Sequence, residues 1–82
     1  MMTRDEILAH VQGVLSELFE IDPSRVTPEA NLYSDLEIDS IDAVDLLDRV
    51  RRLTGKKVSG EDFRAVRTVA DLVGVIERLV AP

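Results

Sequence analysis

Residues 35–54 read Asp35-Leu36-Glu37-Ile38-Asp39-Ser40-Ile41-Asp42-Ala43-Val44-Asp45-Leu46-Leu47-Asp48-Arg49-Val50-Arg51-Arg52-Leu53-Thr54. The carboxylate of Asp39 suits an N-cap, where a side-chain oxygen accepts orphan first-turn amides. Asp42 adds a second negative charge in that turn, where the helix dipole favours it. Ile41, Ala43, Val44, Leu46, Leu47, Val50 and Leu53 then recur with helical spacing and give a broad apolar face. Gly55 follows as a residue free to adopt the left-handed conformation that ends helices. The stretch therefore predicts a helix over 40–54 with Ser40 in its exposed first turn.

Downstream, Lys56 to Gly60 predicts a connection, and Glu61–Ala65 a short turn of helix. Thr68 with Asp71 repeats a capping signal. Val69, Leu72, Val73, Ile76, Leu79 and Val80 predict a last amphipathic helix over 69–80. Upstream, Thr3 and Glu6 have capping-box spacing, and Ile7, Leu8, Val11, Val14, Leu15, Leu18 and Phe19 predict a first helix over 3–19. Between Glu20 and Ile38 the helical period disappears. Pro23 and Pro28 interrupt any ladder, and Asp22, Ser24, Thr27 and Asn31 supply turn chemistry. So long a connection is expected to be packed or functional, with Leu32, Tyr33, Leu36 and Ile38 as its anchors. The expected fold is all-α: a small bundle of three main helices plus one short helix, with a long first loop.

Eighty-two residues fit one domain over 1–82, and 45% hydrophobic residues supply one modest, largely aliphatic core. No run approaches a membrane span, and the first residues lack the basic and apolar regions of a secretory signal, so a cytoplasmic protein with no membrane insertion is expected. The net charge of −6 argues against nucleic acid as a partner. Its distribution is uneven: residues 20–39 carry −5, whereas 40–55 sum to zero. A partner with a basic face would be steered to the acidic stretch before Ser40; a loop kept soluble by its charges explains the same pattern.

Equipment for catalysis is scarce. There is no cysteine, His10 is the single histidine, and the four glycines are scattered. No nucleophile–base pair, thiolate metal site or glycine-rich phosphate loop follows. The alternating carboxylates Asp35, Glu37 and Asp39 invite comparison with a calcium loop. That loop needs glycine at its sixth position and glutamate at its twelfth, and this sequence has Ser40 and Leu46 there. Ser40 remains. On its own, Asp39-Ser40 is also an ordinary way to begin a helix.

The wider segment from Asp35 to Leu46 resembles the signature of acyl carrier proteins, an acidic loop with Asp-Leu-Gly followed by Asp-Ser-Leu at a helix start. The likeness extends to the first helix ending near Phe19, to the loop from Val26 to Leu32 and to the Arg67-Thr68-Val69 entry to the last helix. It implies that Ser40 carries 4'-phosphopantetheine, installed from coenzyme A by a separate phosphopantetheinyl transferase. That enzyme would supply base and metal. Asp39 matches the family's acidic neighbour to the serine, and acyl groups would ride on the arm as thioesters. Ketosynthase, acyltransferase or ligase, ketoreductase and dehydratase enzymes are the implied partners. The protein would be a carrier rather than an enzyme, and a monomer. Its capped start and short tail predict a freestanding protein.

Asp35, Glu37, Asp42, Asp45, Arg49 and Arg52 are the expected partner-recognition residues. Leu32, Tyr33, Ala43, Val44, Leu47, Val50, Phe63, Val66 and Leu72 match lining positions of the family's acyl pocket. Glu37 stands where the family has glycine: the exchange is tolerable if that glycine is only a small residue, whereas a need for positive φ would make the loop differ here, and modification of Ser40 is expected to survive it. Ile41 replaces leucine with little change in volume. Asp45 and Asp48 precede Arg49 and Arg52 by four residues, and Arg51 lies between. Two readings remain open: intrahelical pairing worth ~0.2–0.5 kcal/mol per pair, or a mixed-charge docking face for enzymes other than those of housekeeping fatty-acid synthesis. Asp48 also replaces an exposed methionine of the housekeeping carriers. Phe63 either narrows the pocket or is a core anchor. The segments 38–45, 53–58 and 63–69 are similar to carriers of aryl-polyene and related polyketide pathways. A peptidyl or aminoacyl carrier, or an unmodified helical adaptor, are the alternatives.

Overall fold

A computed structural model describes residues 2–81. Among these residues are four α-helices: α1 (Arg4–Phe19), α2 (Ser40–Thr54), α3 (Gly60–Arg64) and α4 (Val69–Val80). The long helices start and stop close to where the caps predict. Thr3 and Glu6 form the capping box of α1, Thr68 and Asp71 that of α4, and Gly55 closes α2 at φ 72°. The short helix lies one residue upstream of its predicted span, because Ser59 accepts the amide of Asp62 and so caps it earlier.

Buried Ile7, Val11 and Leu15 of α1, Leu46 and Val50 of α2, and Leu72 and Ile76 of α4 meet in one aliphatic core. Two ion pairs tie these helices at the surface, Arg4 to Glu77 at 2.8 Å and Arg49 to Glu17 at 3.2 Å. Exposed or half-exposed pairs of this kind contribute ~0.2–1 kcal/mol each, so burial of the aliphatic side chains dominates. Among the described residues no helix is long and apolar enough to cross a membrane.

The long loop is packed, as its length demands. It contains a 3₁₀ turn at Pro23–Arg25, which the loss of helical period did not reveal. Asp22 caps that turn through the amide of Ser24, and those hydrogen bonds hold its carboxyl below the usual range. Val26, Leu32, Leu36 and Ile38 are buried. The loop is also stitched to the entry of α4. The amide of Leu32 donates to Arg67 O at 2.8 Å, that of Val69 to Ala30 O at 3.0 Å, and that of Ala70 to Pro28 O at 2.9 Å. Tyr33 corrects the expected anchor set: it is 41% exposed, while Leu32 beside it fills the core. The apolar face of α2 is also narrower than its sequence predicts, since Ile41 and Val44 are 76% and 65% exposed.

Candidate functional site

The first amides of a helix have no partner within it. At α2, Asp39 Oδ1 accepts those of Ile41 at 3.0 Å and Asp42 at 2.8 Å, and Asp42 Oδ2 accepts the amide of Asp39 at 3.4 Å. The two aspartates therefore carry the capping. Ser40 lies between them, exposed, and its hydroxyl makes no side-chain hydrogen bond among the described residues. Its position is firm because the chain before it is firm: Ile38 is buried and its amide donates to Leu32 O at 2.9 Å. The result is an unengaged hydroxyl at the end of a rigid element. Asp39 is the N-cap, as the sequence predicts, and Ser40 takes no part in the capping.

Glu37, three residues before Ser40, has φ 58°. An L side chain in that region costs about 1–2 kcal/mol, which glycine avoids. The loop here does use positive φ, and Glu37 adopts it while remaining exposed. Asp35 is exposed but occupied with folding the loop. Its Oδ2 accepts the amide of Asn31 at 2.8 Å, and its carbonyl accepts Arg25 Nη2 at 2.8 Å.

The expected recognition residues on α2 separate into two groups. Asp45 is exposed, and Asp48 pairs with Arg52 at 3.2 Å as the spacing predicts. Arg49 does not pair with Asp45. It turns to Glu17 of α1, because position 49 lies beside α1 rather than on the outer face. Arg49 thus holds two helices together, and the outward cations are Arg52, as expected, and Arg51, which the docking-residue reading passed over.

The expected pocket residues also divide. Leu32, Ala43, Val50, Val66 and Leu72 are buried, and Leu47 and Phe63 pack partly buried against them. Tyr33 and Val44 point outward and cannot line an interior pocket. A small apolar cavity of about 10 Å³, lined by residues that include Val14, Leu46, Arg49 and Leu53, contains only Val50 of the expected set. It has room for about one water-sized sphere. A chain entering the bundle would have to displace packed side chains.

Residues 9–76 match the protein-family model described as phosphopantetheine attachment site. Acyl carrier protein 2 of Ralstonia nicotianae is 48% identical over 80 residues, covering 98% of this chain and 99% of its own. The chain belongs to the acyl carrier protein family.

The acyl carrier protein of Thermotoga maritima is 41% identical over 78 residues, 95% of this chain and 96% of that one. In structure, this carrier is similar to the acyl carrier protein from Enterococcus faecalis. The TM-score is 0.75 at 33% identity, over 92% of this chain and 95% of the other. The protein is accordingly a carrier and not an enzyme, with a phosphopantetheine attachment domain. Family membership implies a phosphopantetheinyl transferase and synthase enzymes as partners. The residues at the start of α2 fit the arm: an exposed hydroxyl, unspent in capping and bordered by carboxylates.

Proposed function

We propose that this acyl carrier protein takes its phosphopantetheine on Ser40 and holds acyl or polyketide intermediates on it, passing them between enzymes of a fatty-acid or polyketide synthase. The observation that carries this reading is the exposed Ser40 hydroxyl, left unengaged by a cap that Asp39 supplies. The serine oxygen would form a phosphodiester with the pantetheine half of coenzyme A and release the adenosine bisphosphate half. The transferase would supply the base and metal, as the family likeness implies. Once bound, the arm supplies a thiol that holds acyl groups as thioesters. Asp39 keeps the helix start in place, and Asp42 and Asp45 present negative charge to a basic enzyme surface. Tyr33, Ile41 and Val44, the large hydrophobic residues exposed among those described, lie within seven residues of Ser40 and offer apolar contact there. The likeness of segments 38–45, 53–58 and 63–69 to aryl-polyene carriers supports a polyketide pathway of that kind.

Intact-protein mass after incubation with coenzyme A and a broad-specificity transferase tests the assignment. The wild type is expected to gain one phosphopantetheine and Ser40→Ala none. No gain by folded wild type would leave Ser40 as an unmodified helix residue and favour an adaptor. Loading of the modified protein by an amino-acid-activating enzyme, and not by acyl-transferring ones, would make it a peptidyl carrier.

A further inference from the structure

Charge is segregated along the middle of the chain. Residues 26–48 hold seven acids and no base, whereas residues 49–60 hold five bases and no acid. At 3.6 residues per turn, Ile41, Val44, Asp45, Asp48, Arg51 and Arg52 fall within about 120° of arc on α2. The structure leaves all six exposed. From the Ser40 end this stripe reads apolar, then acidic, then basic, over about 16 Å. Arg49 takes no part because Glu17 holds it. Arg51 has no ion-pair partner among the described residues, and Lys56 and Lys57 extend the exposed positive end past the helix.

We infer that the outer stripe of α2 is a directional docking surface. It fits a synthase enzyme whose groove is basic beside the Ser40 end and acidic about 16 Å further along. The inference rests on the carrier function proposed above. A uniformly acidic helix attracts a basic surface in either direction along its axis. A positive far end makes the reversed pose repulsive at both ends and weakens binding to grooves that are basic throughout. The Asp48–Arg52 pair does not neutralise the pattern, because an exposed i,i+4 pair is weak and opens readily when each member meets an opposite charge. Matching of these charges to the dipole of α2 accounts for Arg51 and Arg52 in its last turn, but not for Lys56 and Lys57 beyond it. An enzyme fits better than an anionic membrane. The exposed large hydrophobic residues among those described cluster at the acidic end, so the basic end has nothing apolar to insert.

The test uses phosphopantetheine-loaded wild type, the charge-reversed double variant Arg51→Glu with Arg52→Glu, and the neutral Arg51→Gln with Arg52→Gln. The probe is a bacterial fatty-acid ketosynthase chosen for a carrier-facing surface that is basic along its length. Association rates are measured by stopped flow from 25 to 300 mM salt. The reversed variant should associate roughly tenfold faster than wild type at low salt, and the neutral variant should fall between them. The differences should shrink as salt rises. Equal rates at low salt, or a slower reversed variant, would overturn the inference. So would binding of wild type to vesicles of anionic phospholipid that the reversed variant loses, which would assign the basic end to a membrane. Circular dichroism checks that each variant is folded; if the reversed one is not, the neutral one carries the comparison. The loading step separates the two readings. Failure of wild type to accept phosphopantetheine refutes the carrier assignment, whereas normal loading with equal rates refutes directionality alone.

Discussion

α2 and α4 both begin with a capping box, Asp39 with Asp42 and Thr68 with Asp71, yet the residue after the cap is exposed Ser40 in one and fully buried Val69 in the other. The local chemistry is the same. What differs is the ground each helix starts from. The entry to α4 is laced to the long loop by the amides of Val69 and Ala70, so its first turn is folded under that loop. The entry to α2 emerges past buried Ile38, and its first turn faces solvent. A helix start is left open to solvent or built into a structural joint according to what covers it.

Exchanging the two residues tests this most strongly. Val69→Ser removes apolar burial worth ~1.5–3 kcal/mol and buries a hydroxyl. A loss of about 3 kcal/mol in urea unfolding is expected, with no second site of phosphopantetheine loading. Ser40→Val should leave stability within about 0.5 kcal/mol of wild type, as exposed substitutions do, while abolishing loading. Similar unfolding curves for both would show that the two starts are not differently covered.

The caps themselves give a smaller contrast. Asp39→Ala should lower stability by about 1 kcal/mol, and Asp39→Asn much less, because asparagine also caps. If loading by a basic transferase falls with Asp39→Asn, the charge matters to docking separately from the cap. At α4, hydrogen bonds from the backbone amides of Thr68 and Arg67 hold the Asp71 carboxyl below its ordinary range. A depressed folded-state value means the stabilisation is present above the unfolded value and is lost as pH falls through the folded one. Thr3 acts the same way on Glu6 at α1. Thermal unfolding between pH 7 and pH 3 should therefore be less pH-dependent in Asp71→Asn than in wild type. An unchanged profile would remove Asp71 from the acid response.

The smallest effect concerns the approach to Ser40. Glu37→Gly relieves a left-handed L residue but frees the unfolded chain, so a net gain of about 0.5 kcal/mol is expected by urea unfolding. Loading by the transferase should persist. A loss of stability would mean that the Glu37 side chain contributes more than its backbone costs.

The helix limits, the caps, the terminating Gly55 and the exposed turn holding Ser40 were legible in the sequence, because each depends on residues within about four positions of one another. The Asp48–Arg52 pair was legible for the same reason. Less was readable wherever two elements had to meet. The periodicity of α2 marks apolar positions but not how wide a face its neighbours cover, so Ile41 and Val44 read as core and are exposed. Tyr33 and Leu32 both read as anchors of the loop, and the packing of the loop separates them. Arg49 had two carboxylates within reach, Asp45 on its own helix and Glu17 across the interface, and the placing of α1 against α2 decided for Glu17. The sequence by itself determined a capped helical bundle with a serine at one helix start. The tertiary structure decided that Glu37 bears positive φ, that Arg49 turns to α1 and that Ile41 and Val44 stay exposed, because burial and backbone conformation are set by contacts distant in the chain.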